Sequence, residues 1–164
     1  MRTLIIEFLL LLIALLSQSS AQNLPSVPEP DKDPFVGTWK ANAYKSWPKL
    51  DENEALYVRT ISRDGDDVVF FSRTKRPVSA GFSEKHYRIR CDGLSHRVPC
   101  GEASCAKSCT YKAANRVEGE WAGPDGKNYW TEKVSSDGLE MKIYAYRDKT
   151  KKKLYRTEVL DRVK

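Results

Sequence analysis

The sequence predicts an all-β domain, an up-and-down (meander) barrel of about eight to ten short antiparallel strands. Three features predict it. Apolar and polar residues alternate with a period of two over many short runs, as in Leu139, Met141, Ile143 and Ala145 set against Glu140, Lys142, Tyr144 and Tyr146. Clusters of Gly, Asp, Asn and Pro separate these runs at hairpin spacing. Beyond the first residues no stretch sustains a helical period, which argues against a doubly wound α/β fold.

The chain opens with Met1 and Arg2, then an apolar run from Leu4 to Leu16 broken only by Glu7, then Ser17, Gln18, Ser19, Ser20 and Ala21. A positive start, an apolar middle and a small-residue exit predict a signal peptide over 1–21, cleaved after Ala21. Its uninterrupted part, Phe8 to Leu16, is too short to cross about 30 Å of hydrocarbon as a helix. A secreted or periplasmic protein is expected. Lys and Arg number 28 against 22 Asp and Glu, a net charge of +6, and because Arg2 and Glu7 cancel, cleavage leaves that surplus intact. A surplus of this size favours acidic surfaces without specifying nucleic acid.

Residues 22–34 carry Pro25, Pro28, Pro30 and Pro34 and are expected to form an extended lead-in, since each proline removes a backbone donor. The domain then spans 35–164. Val36 to Lys40 is the first strand, with Trp39 buried. Lys45 to Glu54, with Pro48 and three acidic residues, is a loop or one short helical turn. Leu56 to Ile61 and Val68 to Phe71 form a hairpin across Arg63, Asp64, Gly65 and Asp66. Phe82 to Cys91 returns at Asp92 and Gly93 into Leu94 to Val98. The stretch from Cys100 to Cys109 reads as a stapled loop or at most one helical turn. Thr110 to Lys112 pairs with Arg116 to Trp121, Asn128 to Val134 follows the Gly123 to Gly126 turn, and Leu139 to Tyr146 follows Ser136 to Gly138. A basic turn from Asp148 to Lys153 precedes the last strand, Leu154 to Leu160. An open sheet of so many short strands would expose two edges and one apolar face; closing the last strand onto the first removes both problems, and a two-sheet sandwich would also solve them.

Cys91, Cys100, Cys105 and Cys109 lie at intervals of nine, five and four residues. In an exported chain an even, clustered set predicts two disulfides, and the short local loops favour Cys91 with Cys100 and Cys105 with Cys109, a crossed arrangement staying open. The spacing does not suit zinc, even with His86 and His96 nearby, and no metal or cofactor is expected.

Phe35, Val36, Gly37, Thr38, Trp39 and Lys40, followed by Lys45 and Ser46, resemble the opening of lipocalin-like proteins of the calycin group, in which a Gly, any residue, Trp signature starts the first strand. Here Gly37 and Trp39 are that signature. The resemblance implies a meander barrel with a cavity for apolar or weakly polar ligands. It also implies that Trp39 packs at the closed end beneath a distant arginine, for which Arg156 and Arg162 are candidates.

A ligand cavity needs apolar and aromatic walls with a few orienting polar groups. The candidate inward set is Tyr57, Ile61, Phe70, Tyr87, Ile89, Trp121, Met141 and Ile143. All eight fit an ordinary core equally well. The leading expectation is a small apolar or amphipathic ligand held by burial without covalent chemistry. The alternative is a basic interaction or inhibitor module on a filled barrel, meeting an anionic glycan, lipid or protein surface through the Cys100 to Cys109 loop and Lys149, Lys151, Lys152 and Lys153. Arg73, Lys75 and Arg76 form a second basic cluster. Neither histidine sits in a nucleophile pattern, so an enzyme is not expected; Glu118, Glu120 and Glu132 are the carboxylates a hydrolase would draw on.

Overall fold

The computed structural model describes residues 27–75, 81–100 and 103–164, so the expected signal peptide, Pro25 and Arg76 lie outside the described residues. Ten strands follow one another: β1 (Gly37–Ala41), β2 (Val58–Asp64), β3 (Asp67–Lys75), β4 (Phe82–Arg90), β5 (His96–Cys100), β6 (Ala103–Ala113), β7 (Arg116–Gly123), β8 (Gly126–Val134), β9 (Glu140–Tyr146) and β10 (Leu154–Arg162). A single 3-10 turn, Glu54–Leu56, sits between β1 and β2. The strands make one antiparallel sheet in the order β4-β3-β2-β1-β10-β9-β8-β7-β6-β5. β10 therefore pairs with β1, Leu160 opposite Ala41 and Arg162 opposite Trp39, as barrel closure requires. The predicted all-β meander is the observed fold.

The remaining seam lies between β4 and β5, and the cysteines close it. Cys91 bonds Cys109 with Cα atoms 4.5 Å apart, and Cys100 bonds Cys105 with Cα atoms 5.8 Å apart. This nested pairing replaces the expected Cys91–Cys100 and Cys105–Cys109. The reason is that Cys100 to Cys109 is no loop: from Ala103 onward it is β6, where Cys105 and Cys109 share a face. Four residues at about 3.4 Å each set them far beyond disulfide reach. Cys100 and Cys105 instead staple the β5–β6 hairpin, and Cys91 ties the end of β4 directly to β6. A backbone bridge between Asp92 and Thr110 and a Gly93 N–H to Cys109 C=O bond of 2.9 Å continue that junction.

One end of the barrel is plugged. Trp39 is fully buried, and its indole N–H donates to the Phe35 carbonyl at 2.9 Å. Of the two candidate arginines it is Arg162 that covers it, the guanidinium carbon 4.2 Å from the ring centroid. The same guanidinium donates to the carbonyls of Val36 (2.7 Å), Pro34 (2.6 Å) and Gly138 (2.6 Å). Gly37 adopts φ +137°, and a Cβ there would stand 2.5 Å from Arg162 Nη1, so the signature glycine makes room for the arginine. Beside it the buried Asp33 carboxylate accepts from Phe35 N at 3.0 Å, Tyr111 OH at 2.5 Å and Arg63 at 3.2 Å. The end of the lead-in is thereby anchored inside the plug.

The opposite end is spanned by the segment from Asn42 to Tyr57. Trp47 and Thr157 exchange two backbone bonds of 2.8 and 2.6 Å, extending the β1–β10 ladder past a bulge. Ser46 Oγ accepts from Val159 N at 3.0 Å, which fixes the bulge over Val159.

Gly37→Ala and Arg162→Met are each expected to cost about 1–3 kcal/mol in urea unfolding, through backbone strain with overpacking and through three abandoned carbonyls respectively. Because the alanine methyl clashes with Arg162 itself, the double variant should fall short of the sum by about 1 kcal/mol. Strict additivity would show that the two residues do not act as a unit.

Candidate ligand-binding interior

Strand alternation delivers one face of every strand to the barrel interior. Of the eight expected wall residues, Ile61, Phe70, Ile89 and Met141 lie within the buried core cluster, and Tyr57, Tyr87, Trp121 and Ile143 pack against it. The interior they share also contains charges. Arg59, Lys107 and Glu132 occupy inward positions on β2, β6 and β8 and are buried, Arg59 to 4% exposure. Of the three, the sequence reading names only Glu132, as one of the carboxylates a hydrolase would draw on. A signal for them existed in the alternation itself: Arg59 shares the parity of Ile61, Lys107 that of Cys105 and Cys109, and Glu132 that of Trp130 and Val134. A charge on an inward face contradicts an apolar core, so parity alone did not single them out.

Arg59 donates to Glu132 Oε1 at 2.9 Å, a buried pair in which the carboxylate outweighs the desolvation and holds the guanidinium protonated. Lys107 has no carboxylate among its contacts. Its ammonium donates to Tyr87 OH at 2.9 Å and lies 4.8 Å from the Phe70 and Trp130 ring centroids and 5.1 Å from that of Tyr87. Rings offset part of the burial cost, each by roughly 0.5–2 kcal/mol, but none neutralises the charge. Burial by itself would raise the Tyr87 phenol; Lys107 and Arg59 overcome it and the net shift is downward. Trp130 stacks onto Gly119, where a Cβ would come within 2.5 Å of the ring, and its indole nitrogen is buried without a hydrogen-bond partner. Lys107 Nζ and Trp130 Nε1 are thus two interior donors on neighbouring side chains, and among the described residues neither is paired with an anion.

Toward the spanned end a cavity of about 270 Å³ is lined by Ala41, Leu50, Glu54, Tyr57, Thr74, Arg156 and Glu158. Arg156 donates to Glu54 Oε1 at 2.7 Å and holds its Nε 2.7 Å from Glu158 Oε1, so two carboxylates share one guanidinium. Desolvation raises the Glu158 carboxyl above its usual range; Arg156 and Arg59 pull it down, Glu132 and Glu54 push it up, and the net direction is up. Tyr57 is likewise raised, chiefly by burial.

The hydrolase carboxylates do not converge. Glu118 and Glu120 face outward on β7, paired with Arg116 and Lys151 and with Lys127 respectively, while Glu132 is inside. In the basic turn Lys149, Lys152 and Lys153 are exposed, whereas Lys151 folds back onto Glu118. Trp39 belongs to the plug.

No protein-family model matches the chain, and no curated protein matches it by sequence. Solved structures do match in fold. A Schistosoma mansoni fatty acid binding protein in complex with arachidonic acid aligns over 81% of this chain and 98% of that chain, with a TM-score of 0.59 and 12% identity. The wild-type fluorescent protein UnaG aligns over 79% and 97%, at 0.56 and 12%. A secretory abundant heat soluble protein from Ramazzottius varieornatus aligns over 80% and 96%, at 0.57 and 10%. These place the chain among calycin-like β-barrels as a fold. Nothing closer than the fold is shared at such identities.

Glu158 binds its proton more tightly folded than unfolded, so ionising it subtracts stability as pH rises above the usual carboxylate range. Glu158→Gln should therefore match the parent near pH 4 and gain on it toward pH 7, by about 1 kcal/mol or less, in urea midpoints measured across that range. A gain that grows toward acid would reverse the sign.

Proposed function

We propose that the protein is an exported carrier that encloses a small amphipathic molecule in the barrel and orients it by an anionic group set against Lys107, Tyr87 and Trp130. One observation carries this reading: a buried ammonium with no carboxylate partner, beside a buried indole donor with no acceptor. A protein that only needed a stable core would gain by replacing such a charge with an apolar side chain. A carboxylate, sulfonate or phosphate arriving with an apolar body satisfies both donors and leaves the remaining walls, Phe70, Trp121 and Ile143 among them, to cover hydrocarbon. Binding of this kind involves no covalent step. Two disulfides and the leader-like first 21 residues support an oxidising destination.

Dodecanoate should displace anilinonaphthalene sulfonate from the purified protein, dodecanol should do so far less well, and Lys107→Met should weaken the dodecanoate effect by about tenfold or more with circular dichroism unchanged. Equal competition by acid and alcohol, insensitive to Lys107→Met, would overturn the reading. For export, N-terminal sequencing of protein recovered outside the cytoplasm should begin at Gln22; an intact Met1 there would refute cleavage.

A further inference from the structure

Away from the plug of Asp33, Arg63 and Arg162, the inward charges of the described residues are balanced in number and unbalanced in place. Arg59, Lys107 and Arg156 supply three cations, and Glu54, Glu132 and Glu158 three carboxylates. Arg59 and Glu132 satisfy each other at 2.9 Å. What is left is a cation without a carboxylate at Lys107 and, at the cavity near the spanned end, two carboxylates on the single guanidinium of Arg156. A monoanionic ligand would neutralise Lys107 but bring its own charge into a region, away from the plug, whose six charges already sum to zero. It would also leave the surplus carboxylate uncompensated.

From this arrangement we infer that the ligand is zwitterionic, with an anionic group at Lys107, Tyr87 and Trp130 and a cationic amine at Glu158 and Glu54, joined by an apolar spacer. The inference rests on the carrier reading above and refines it. Two further observations fit an amine at that end. Glu158 and Glu54 line a cavity of about 270 Å³ that also offers Tyr57 and Thr74 as hydroxyl acceptors and Ala41 and Leu50 as apolar surface. The Arg156 Nε is buried without a well-directed hydrogen bond although it lies 2.7 Å from Glu158, so this guanidinium does not fully satisfy the carboxylate it touches. An ammonium donates three hydrogen bonds in any direction and can serve both carboxylates where the planar guanidinium cannot. Neutral overall, such a molecule leaves the charge of this region unchanged and lets its dipole oppose the one built into the walls.

Isothermal titration calorimetry of the purified protein with dodecanoate, aminooctanoate and aminododecanoate, the amine at the chain end opposite the carboxylate, tests it. At least one amino acid should bind about tenfold more tightly than dodecanoate, and Glu158→Gln should abolish that preference while leaving dodecanoate affinity within about twofold. Dodecanoate binding equal to or tighter than both amino acids overturns the zwitterion, and if Lys107→Met still abolishes it the carrier reading stands. A preference that survives Glu158→Gln with the fold intact removes the amine from this position. No saturable binding of any of the three overturns both readings.

Discussion

The guanidinium of Arg162, lying on Trp39 and filling the space that Gly37 leaves open, is the contact on which the barrel's geometry turns. It joins the last residue of the last strand to the first strand and, through three carbonyls, to the lead-in and the β8–β9 turn. Closure of a sheet removes its edges only if the terminal strands meet in one register, and a one-residue slip would turn Leu160 and Met141 out of the core. Arg162 fixes that register where β1 is only five residues long and contributes few ladder bonds of its own. Asp33, Tyr111 and Arg63 complete the same plug from the other side.

With one end sealed and the β4 seam drawn to β6 by Cys91 and Cys109, each buried charge of the interior acts at short range and low dielectric. Arg59 with Glu132 is a closed account. Lys107 and Glu158 are not: both carry burial costs that an apolar residue would avoid. Such local losses of stability are characteristic of sites shaped for a partner. In the proposed carrier reading the aromatic residues beside these charges would cover an apolar body, so polar anchoring and hydrophobic burial would come from adjacent positions on neighbouring strands.

The basic turn keeps Lys149, Lys152 and Lys153 exposed. Lys151 is turned onto Glu118, and the Cys100 to Cys109 stretch expected as a second contact loop is ladder for most of its length.

Much of the fold was legible along the chain because hairpins are local. Turn chemistry at Gly65, Gly126 and Gly138, each at positive φ, and two-residue alternation place most strands within a few residues of their observed ends, β6, which starts at Ala103 and not at Thr110, being the exception. Gly37 and Trp39 announced the first strand, and closure followed from the cost of edges. The cysteine pairing was not legible, since whether Cys105 and Cys109 are close depends on whether β6 is extended, and Gly, Ser, Ala and Lys between thiols favour neither state. Nor could the chain tell Arg162 from Arg156 as the partner of Trp39: they share a face of β10, and only the register with β1 puts one at the plug and the other at the cavity. The sequence by itself determined strand periodicity and hairpin order, which are set by interactions between near neighbours. Only the tertiary structure decided which inward charges meet a counter-charge, because that depends on distances between strands far apart in sequence, and Lys107 and Glu158 acquired their meaning there.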